Sequence, residues 1–150
     1  MIRAVLDVNV LISAIYFGGV PSSAYQAGLD KQYRLFTSEA ICVELARVAA
    51  YPKFTDRLEM VGRSVADLIR VYRAIAEVVT EEPVPLDALR DPNDLMFLAA
   101  AIGGKANYVV SGDKDLTKKE GGQYKGVQIV TPAQFLAILN TKSSESLLSE

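Results

Sequence analysis

Histidine is absent from this chain of 150 residues, and cysteine occurs once, at Cys42. Without histidine there is no Ser-His or Cys-His nucleophilic scheme, no imidazole general base and no ordinary zinc site. One cysteine forms no internal disulfide and fits a reducing cytoplasm, the expected location. No apolar run approaches the roughly 18 to 20 residues that cross a bilayer. The start also lacks a basic segment followed by a long apolar stretch, so neither a membrane span nor a signal peptide is expected. Excess positive charge is missing too. A net charge of -2 and a pI near 5.2 argue against a protein that coats nucleic acid by bulk electrostatics. They leave open a nuclease whose acidic pocket is rimmed by local basic residues. Chemistry here has to rest on carboxylates, lysine, hydroxyls or a hard metal ion.

What is present is the balance of an ordinary globular protein, half apolar and 23% charged, in a length that suits one domain. Short apolar runs alternate with capped amphipathic segments. Strands are expected at 3–8, 33–37, 77–80, 108–111 and 127–130. Helices are expected at 10–16, 22–29, 39–50, 55–61, 65–75, 92–102 and 132–139. Ser38, Ser64, Asp91 and Thr131 stand where caps belong, and Ser64-Val-Ala-Asp67 is a capping-box variant. The polar stretch 118–125 is expected to be a surface loop, and the serine-rich 140–150 a flexible tail following a domain at 1–139. Strands alternating with helices imply parallel pairing, right-handed crossovers and a three-layer α/β/α architecture.

The first ten residues organise the rest. Ala4-Val-Leu6 is a buried-strand run that ends abruptly in Asp7 and Asn9. A carboxylate where a buried strand hands over to a helix sits at the carboxyl edge of an open sheet, where such folds place their sites. Burying that charge alone is costly, so it needs a metal, a cation or hydrogen-bond donors. Asp113 follows the fourth strand, at the same edge, with Asp115 beyond it. On the helix from residue 39, Glu44 falls at the border of the stripe Ile41, Leu45, Val48, about 40° from Val48, whereas Glu39 points to the other side. Asp94 lines up with Phe97, Leu98 and Ala101, an apolar face that solvation alone would not choose for an acid. Each acid taken singly has an ordinary reading. Asp91 is a helix cap, Asp94 gains from the helix dipole, Glu44 can pair with Arg47 or Arg90, and Asp113 and Asp115 can form a turn. Converging, they repel each other unless a cation is present. Oxygen-only ligands suit Mg²⁺ or Mn²⁺, and such an ion serves metal-assisted phosphodiester hydrolysis.

Leu6-Asp-Val-Asn-Val-Leu-Ile-Ser13, Glu44-Leu45, Asp91-Pro-Asn-Asp94 leading into Met96-Phe-Leu-Ala-Ala, and Val110-Ser-Gly-Asp-Lys-Asp-Leu116 together resemble the PIN-domain ribonucleases. Within them the likeness is to the prokaryotic VapC-like toxins of toxin-antitoxin systems, and it runs from Ile2 to about Leu139. The resemblance implies a five-stranded parallel sheet in the order 3-2-1-4-5. It also implies an acidic quartet at Asp7, Glu44, Asp94 and Asp113 holding Mg²⁺ or Mn²⁺, with Asp115 as an accessory ligand and Asn9 in support. Cleavage of single-stranded RNA, a homodimer and a cognate antitoxin are its further implications. One departure is Val8, where the family usually has Thr or Ser. The missing hydroxyl removes a hydrogen bond that could support the metal.

On the substrate side, Ser13, Arg47, Lys114, Lys118 and Lys119 are candidates to face the scissile strand. Solvated surface is the plainer role for each. Tyr16 and Phe17 are candidates for base stacking, against core packing. Arg70 and Arg73 flank an apolar helix face suited to an interface. The rival to a metal-dependent endoribonuclease is a non-catalytic PIN-like module that binds RNA or protein, motivated by Val8 and the low net charge. An aspartyl-phosphate hydrolase is disfavoured, because Asn9 cannot do the acid/base work that its pattern needs.

Overall fold

The computed structural model describes residues 1–89, 91–112 and 122–148, with side chains through Lys142. The chain alternates as expected: β1 Arg3–Leu6, α1 Val8–Tyr16, α2 Gly19–Leu29, β2 Arg34–Thr37, α3 Glu39–Ala49, α4 Pro52–Met60, α5 Val65–Ile75 and β3 Glu77–Val78. A single 3₁₀ turn, Pro92–Asp94, leads into α6 Leu95–Gly103. After it come β4 Tyr108–Val110, β5 Gln123–Tyr124, β6 Val127–Val130 and α7 Pro132–Leu148. The sheet order is β3-β2-β1-β4-β6-β5, with helices on both sides. The five strands read from the sequence pair in parallel and in the expected order.

Among the described residues the sheet is nevertheless six-stranded and mixed, because β5 adds an antiparallel edge. Lys125 and Gly126 both take positive φ, 47° and 84°, between Tyr124 and Val127. That is the backbone of a two-residue hairpin turn, which folds Gln123 and Tyr124 back onto β6. A stretch expected to be only loop therefore ends in a strand.

Other boundaries moved for local reasons. β1 stops at Leu6 because Asp7 is the cap of α1, which takes in Val8 and Asn9. Gly18 and Gly19, both at positive φ, turn the corner into α2 three residues earlier than expected. Pro52 opens α4 three residues before the expected start at 55, in the first-turn position where a missing N–H costs least. The caps at Ser38, Ser64 and Thr131 are in place, the last with Gln134 reciprocating. The last helix continues beyond Leu139 to Leu148, as no proline or glycine interrupts it and the Thr141 hydroxyl donates back to the Ala137 carbonyl. No helix among the described residues is long and apolar enough to cross a membrane.

The core lies on the central strands. Val5, Leu6, Val109 and Val110 are almost wholly buried, with Leu11, Ile41, Leu45 and Leu98 packed around them. α6 lies against β1, β2 and β4. Its carboxyl end comes very close to the segment after β3: a Cβ on Gly103 would stand 1.9 Å from the Thr80 carbonyl oxygen. The Glu82 N–H donates to the Ala99 carbonyl in the same contact, at 3.0 Å. Only glycine permits this approach, which helps seat α6 with Asp94 just ahead of its amino end.

Candidate active site

β1 stands between β2 and β4, the point where the strand order reverses direction. In open α/β sheets the crevice beyond the carboxyl ends at such a point is where ligands bind. There the structure has an open cleft of about 290 Å³, whose walls include Asp7, Val8, Asn9, Glu44, Asp91 and Asp94. Four acids from three distant segments thus line one cleft.

Asp7 is the most deeply set, only 4% exposed. Its N–H donates to the Val110 carbonyl of β4 at 3.0 Å, and its own carbonyl accepts from Leu11 at 3.0 Å. One carboxylate oxygen accepts the Val10 N–H at 2.8 Å, capping α1. The donors that a buried charge requires are thus supplied in part by a helix amino terminus, whose dipole also favours an anion. Val8, 5% exposed, presents an aliphatic wall where a hydroxyl would otherwise face the cleft.

Glu44 reaches the cleft from the border of the α3 stripe, half-buried, and binds Arg47 in a bidentate pair at 2.5 and 3.1 Å. The hydrogen bonds from Arg47 hold its carboxyl below the ordinary glutamate value, against a smaller opposing effect of burial. Glu39 points elsewhere and pairs with Arg73 of α5. Asp94 is the last residue of the 3₁₀ turn, half-buried beside the buried Phe97. Asp91 does cap that turn, accepting from the Asn93 N–H at 3.0 Å, and also lines the cleft.

Asn9 and Arg47 line the cleft as well; Ser13 does not. It sits one helical turn beyond Asn9 on α1, about 6 Å further from the sheet edge. Asp113, Lys114, Asp115, Lys118 and Lys119 lie outside the described residues, as does Arg90. The strand leading to Asp113 is in register beside β1, with Leu6 opposite Val110. Asn93 and Tyr51 line the cleft too, and neither has a part in the site expected from the sequence. Asn93 had no signal beyond its place in the Asp91–Asp94 string. Tyr51 had one in its spacing from Arg47, whose guanidinium donates to its hydroxyl at 2.6 Å.

The donor set is oxygen throughout: carboxylates and side-chain amides, with Cys42 buried away from the cleft. It fits a hard divalent ion of the Mg²⁺ or Mn²⁺ type. Among the described residues, no three acidic or thiol side chains form a group that could hold an ion between them. A family model described as PIN domain matches residues 3–115, about three-quarters of the chain. No curated protein matches the chain.

Proposed function

The chain belongs to the PIN-domain family, whose fold is nuclease-like, and from that membership we propose that it is a Mg²⁺- or Mn²⁺-dependent endoribonuclease cutting single-stranded RNA. The observation that carries the reading is the meeting of Asp7, Glu44 and Asp94 in one open cleft at the carboxyl edge of the sheet. These three would contribute ligands to the ion, with Asp113 and Asp115 from the segment that follows β4 completing the set and Asn9 in support. A bound divalent ion supplies an activated water and a counter-charge for the phosphodiester. The rest falls to the protein. Asp7 is held by backbone, so its position does not depend on substrate. Glu44 is already ionised, held so by Arg47, and that pair is the contact a cation must compete with.

We also place the protein as the toxin of a toxin-antitoxin pair, with an antitoxin and a second copy of itself as protein partners. A groove of about 580 Å³ among α1, α2 and α5, with Leu29, Leu68 and Val71 on its walls and no lining residue in common with the cleft, supports a protein partner.

Calorimetric titration with Mn²⁺ beside a gel assay on single-stranded RNA tests the reading. The native protein takes up the ion and cuts, and Asp7→Asn and Asp94→Asn do not cut. Equal cleavage by all three would sink the proposal. The second reading, a non-catalytic RNA- or protein-binding module, is favoured by the aliphatic Val8 wall and the Glu44–Arg47 pair. It is the outcome if the native protein neither takes up Mn²⁺ nor cuts.

A further inference from the structure

Beyond the acids, the cleft wall continues into a row of aromatic rings. Tyr51, 39% exposed, lines the cleft and stacks on Phe54 at 6.4 Å between centroids and 15° between planes. Phe54, buried in α4, stacks on Tyr16 at 4.8 Å and meets the edge of Phe17 at 6.3 Å. Phe17, just past the end of α1, is 61% exposed. Phe54 is thus a buried ring in contact with two exposed ones, Tyr51 at the cleft and Phe17 past the end of α1.

Three of these four rings have a cation against them. Arg47 lies over Tyr51 at 5.7 Å, Lys53 over Phe54 at 4.9 Å, and Arg57 over Phe17 at 4.9 Å. Arg57 is held there by donating to the Tyr16 carbonyl at 3.0 Å. Arg47 is matched by Glu44, but neither Lys53 nor Arg57 makes an ion pair among the described residues. These two cations, Arg57 over the exposed Phe17 and Lys53, two residues on from the exposed Tyr51, over Phe54, form a local exception to the acidic character of a chain of net charge -2. The combination is the one that binds unpaired nucleic acid, with base faces on rings and phosphates on cations. A duplex keeps its base faces stacked on one another, so it offers such rings nothing to stack on.

We propose that Tyr51 and Phe17, flanked by Lys53 and Arg57, form a track for a single RNA strand leading to the acidic cleft. Bases stack on the two exposed rings and phosphates meet the two cations. The assignment of this strand as substrate rests on the nuclease reading above; its binding does not.

The test uses the whole chain in EDTA, where binding is read without cleavage. The probe is a fluorescein-labelled, unstructured 12-nucleotide single-stranded RNA, with a duplex of equal length beside it, followed by fluorescence anisotropy. The single strand binds more tightly than the duplex. Phe17→Leu and Tyr51→Leu each weaken it roughly 5- to 100-fold, whereas Phe17→Tyr and Tyr51→Phe bind within about twofold of native. Lys53→Gln and Arg57→Gln each lower the slope of log affinity against log salt by about 0.7. Because the chain has no tryptophan, Phe17→Trp installs a single reporter whose emission changes as the strand saturates it. Leucine variants that bind like native, duplex binding as tight as single-strand binding, or a silent Phe17→Trp overturns the track. So does a protein partner seated on these rings with no strand bound. Adding Mn²⁺ separates this from the nuclease reading. Ring-dependent binding without cleavage keeps the track and removes the nuclease. Cleavage with the same KM in native and leucine variants does the reverse.

Discussion

Asp7 is held by backbone and Glu44 by another side chain, although both acids line the same cleft. Asp7 closes β1, caps α1 and hydrogen-bonds β4 through its own amide, so three elements meet on one residue. Glu44 is a half-buried helix residue whose carboxylate is matched by an exposed arginine one turn away. One acid belongs to the architecture and the other only faces the site. Their contributions to folding and to activity should therefore separate.

The largest effect is expected at Asp7. Asp7→Ala lowers cleavage more than about 100-fold, because a proposed metal ligand is lost, and costs about 1 kcal/mol of stability through the lost cap. Asp7→Asn keeps a good cap and so keeps most of the stability, yet loses the activity. Urea unfolding measured beside cleavage rates checks both halves. A stability loss in Asp7→Asn equal to that in Asp7→Ala would mean that the cap is not what holds this corner.

A smaller, one-sided effect is expected at Glu44. Glu44→Gln lowers Mn²⁺ affinity and cleavage by at least about tenfold. Its stability stays within about 0.5 kcal/mol of native, since exposed ion pairs contribute little. If urea unfolding shows Glu44→Gln as damaging as Asp7→Ala, the contrast between the two acids disappears.

The smallest effect concerns ion pairs away from the cleft. Arg73 holds Glu39, and Arg34 holds Glu77, below the ordinary glutamate value; the Ser64 backbone and hydroxyl, with Arg70, do the same for Asp67. A lowered carboxyl means that the folded chain binds fewer protons than the unfolded chain. The stabilisation is then complete above the ordinary carboxyl range near pH 4 and is lost as pH falls through the lowered values. Thermal midpoints from pH 7 down to 3 should stay level at first and then fall. Arg73→Gln should make that fall slightly shallower without changing cleavage at pH 7.

Much of the fold was legible because its signals are local. Ser38, Ser64 and Thr131 cap the helices they precede, since a short side-chain oxygen satisfies an orphan N–H wherever it stands. Glu44 lies on the border of the α3 stripe as helical periodicity suggests, whereas Asp94, aligned on paper with the apolar face of a helix from residue 92, stands in the 3₁₀ turn ahead of α6. The β5 edge was not, because it depends on Lys125, a non-glycine residue at positive φ, which composition does not announce. The length of α7 was not, because its polar half carries no apolar stripe. Tyr51 falls between two expected helices, 39–50 and 55–61. Its place on the cleft wall arises only in the folded chain, where it stacks on Phe54 and meets Arg47.

The order of residue types along the chain was enough to determine a doubly wound α/β domain with acids at strand and helix ends and no histidine chemistry, for these follow from local patterning and from what is absent. Only the tertiary structure decided that Asp7, Glu44 and Asp94 share one cleft, that Asp7 has its hydrogen-bond donors from α1, and that exposed rings continue the wall past Tyr51. The reason is that β1 lies between β2 and β4. Chain segments far apart in sequence reach the same sheet edge there, and no local pattern records that meeting.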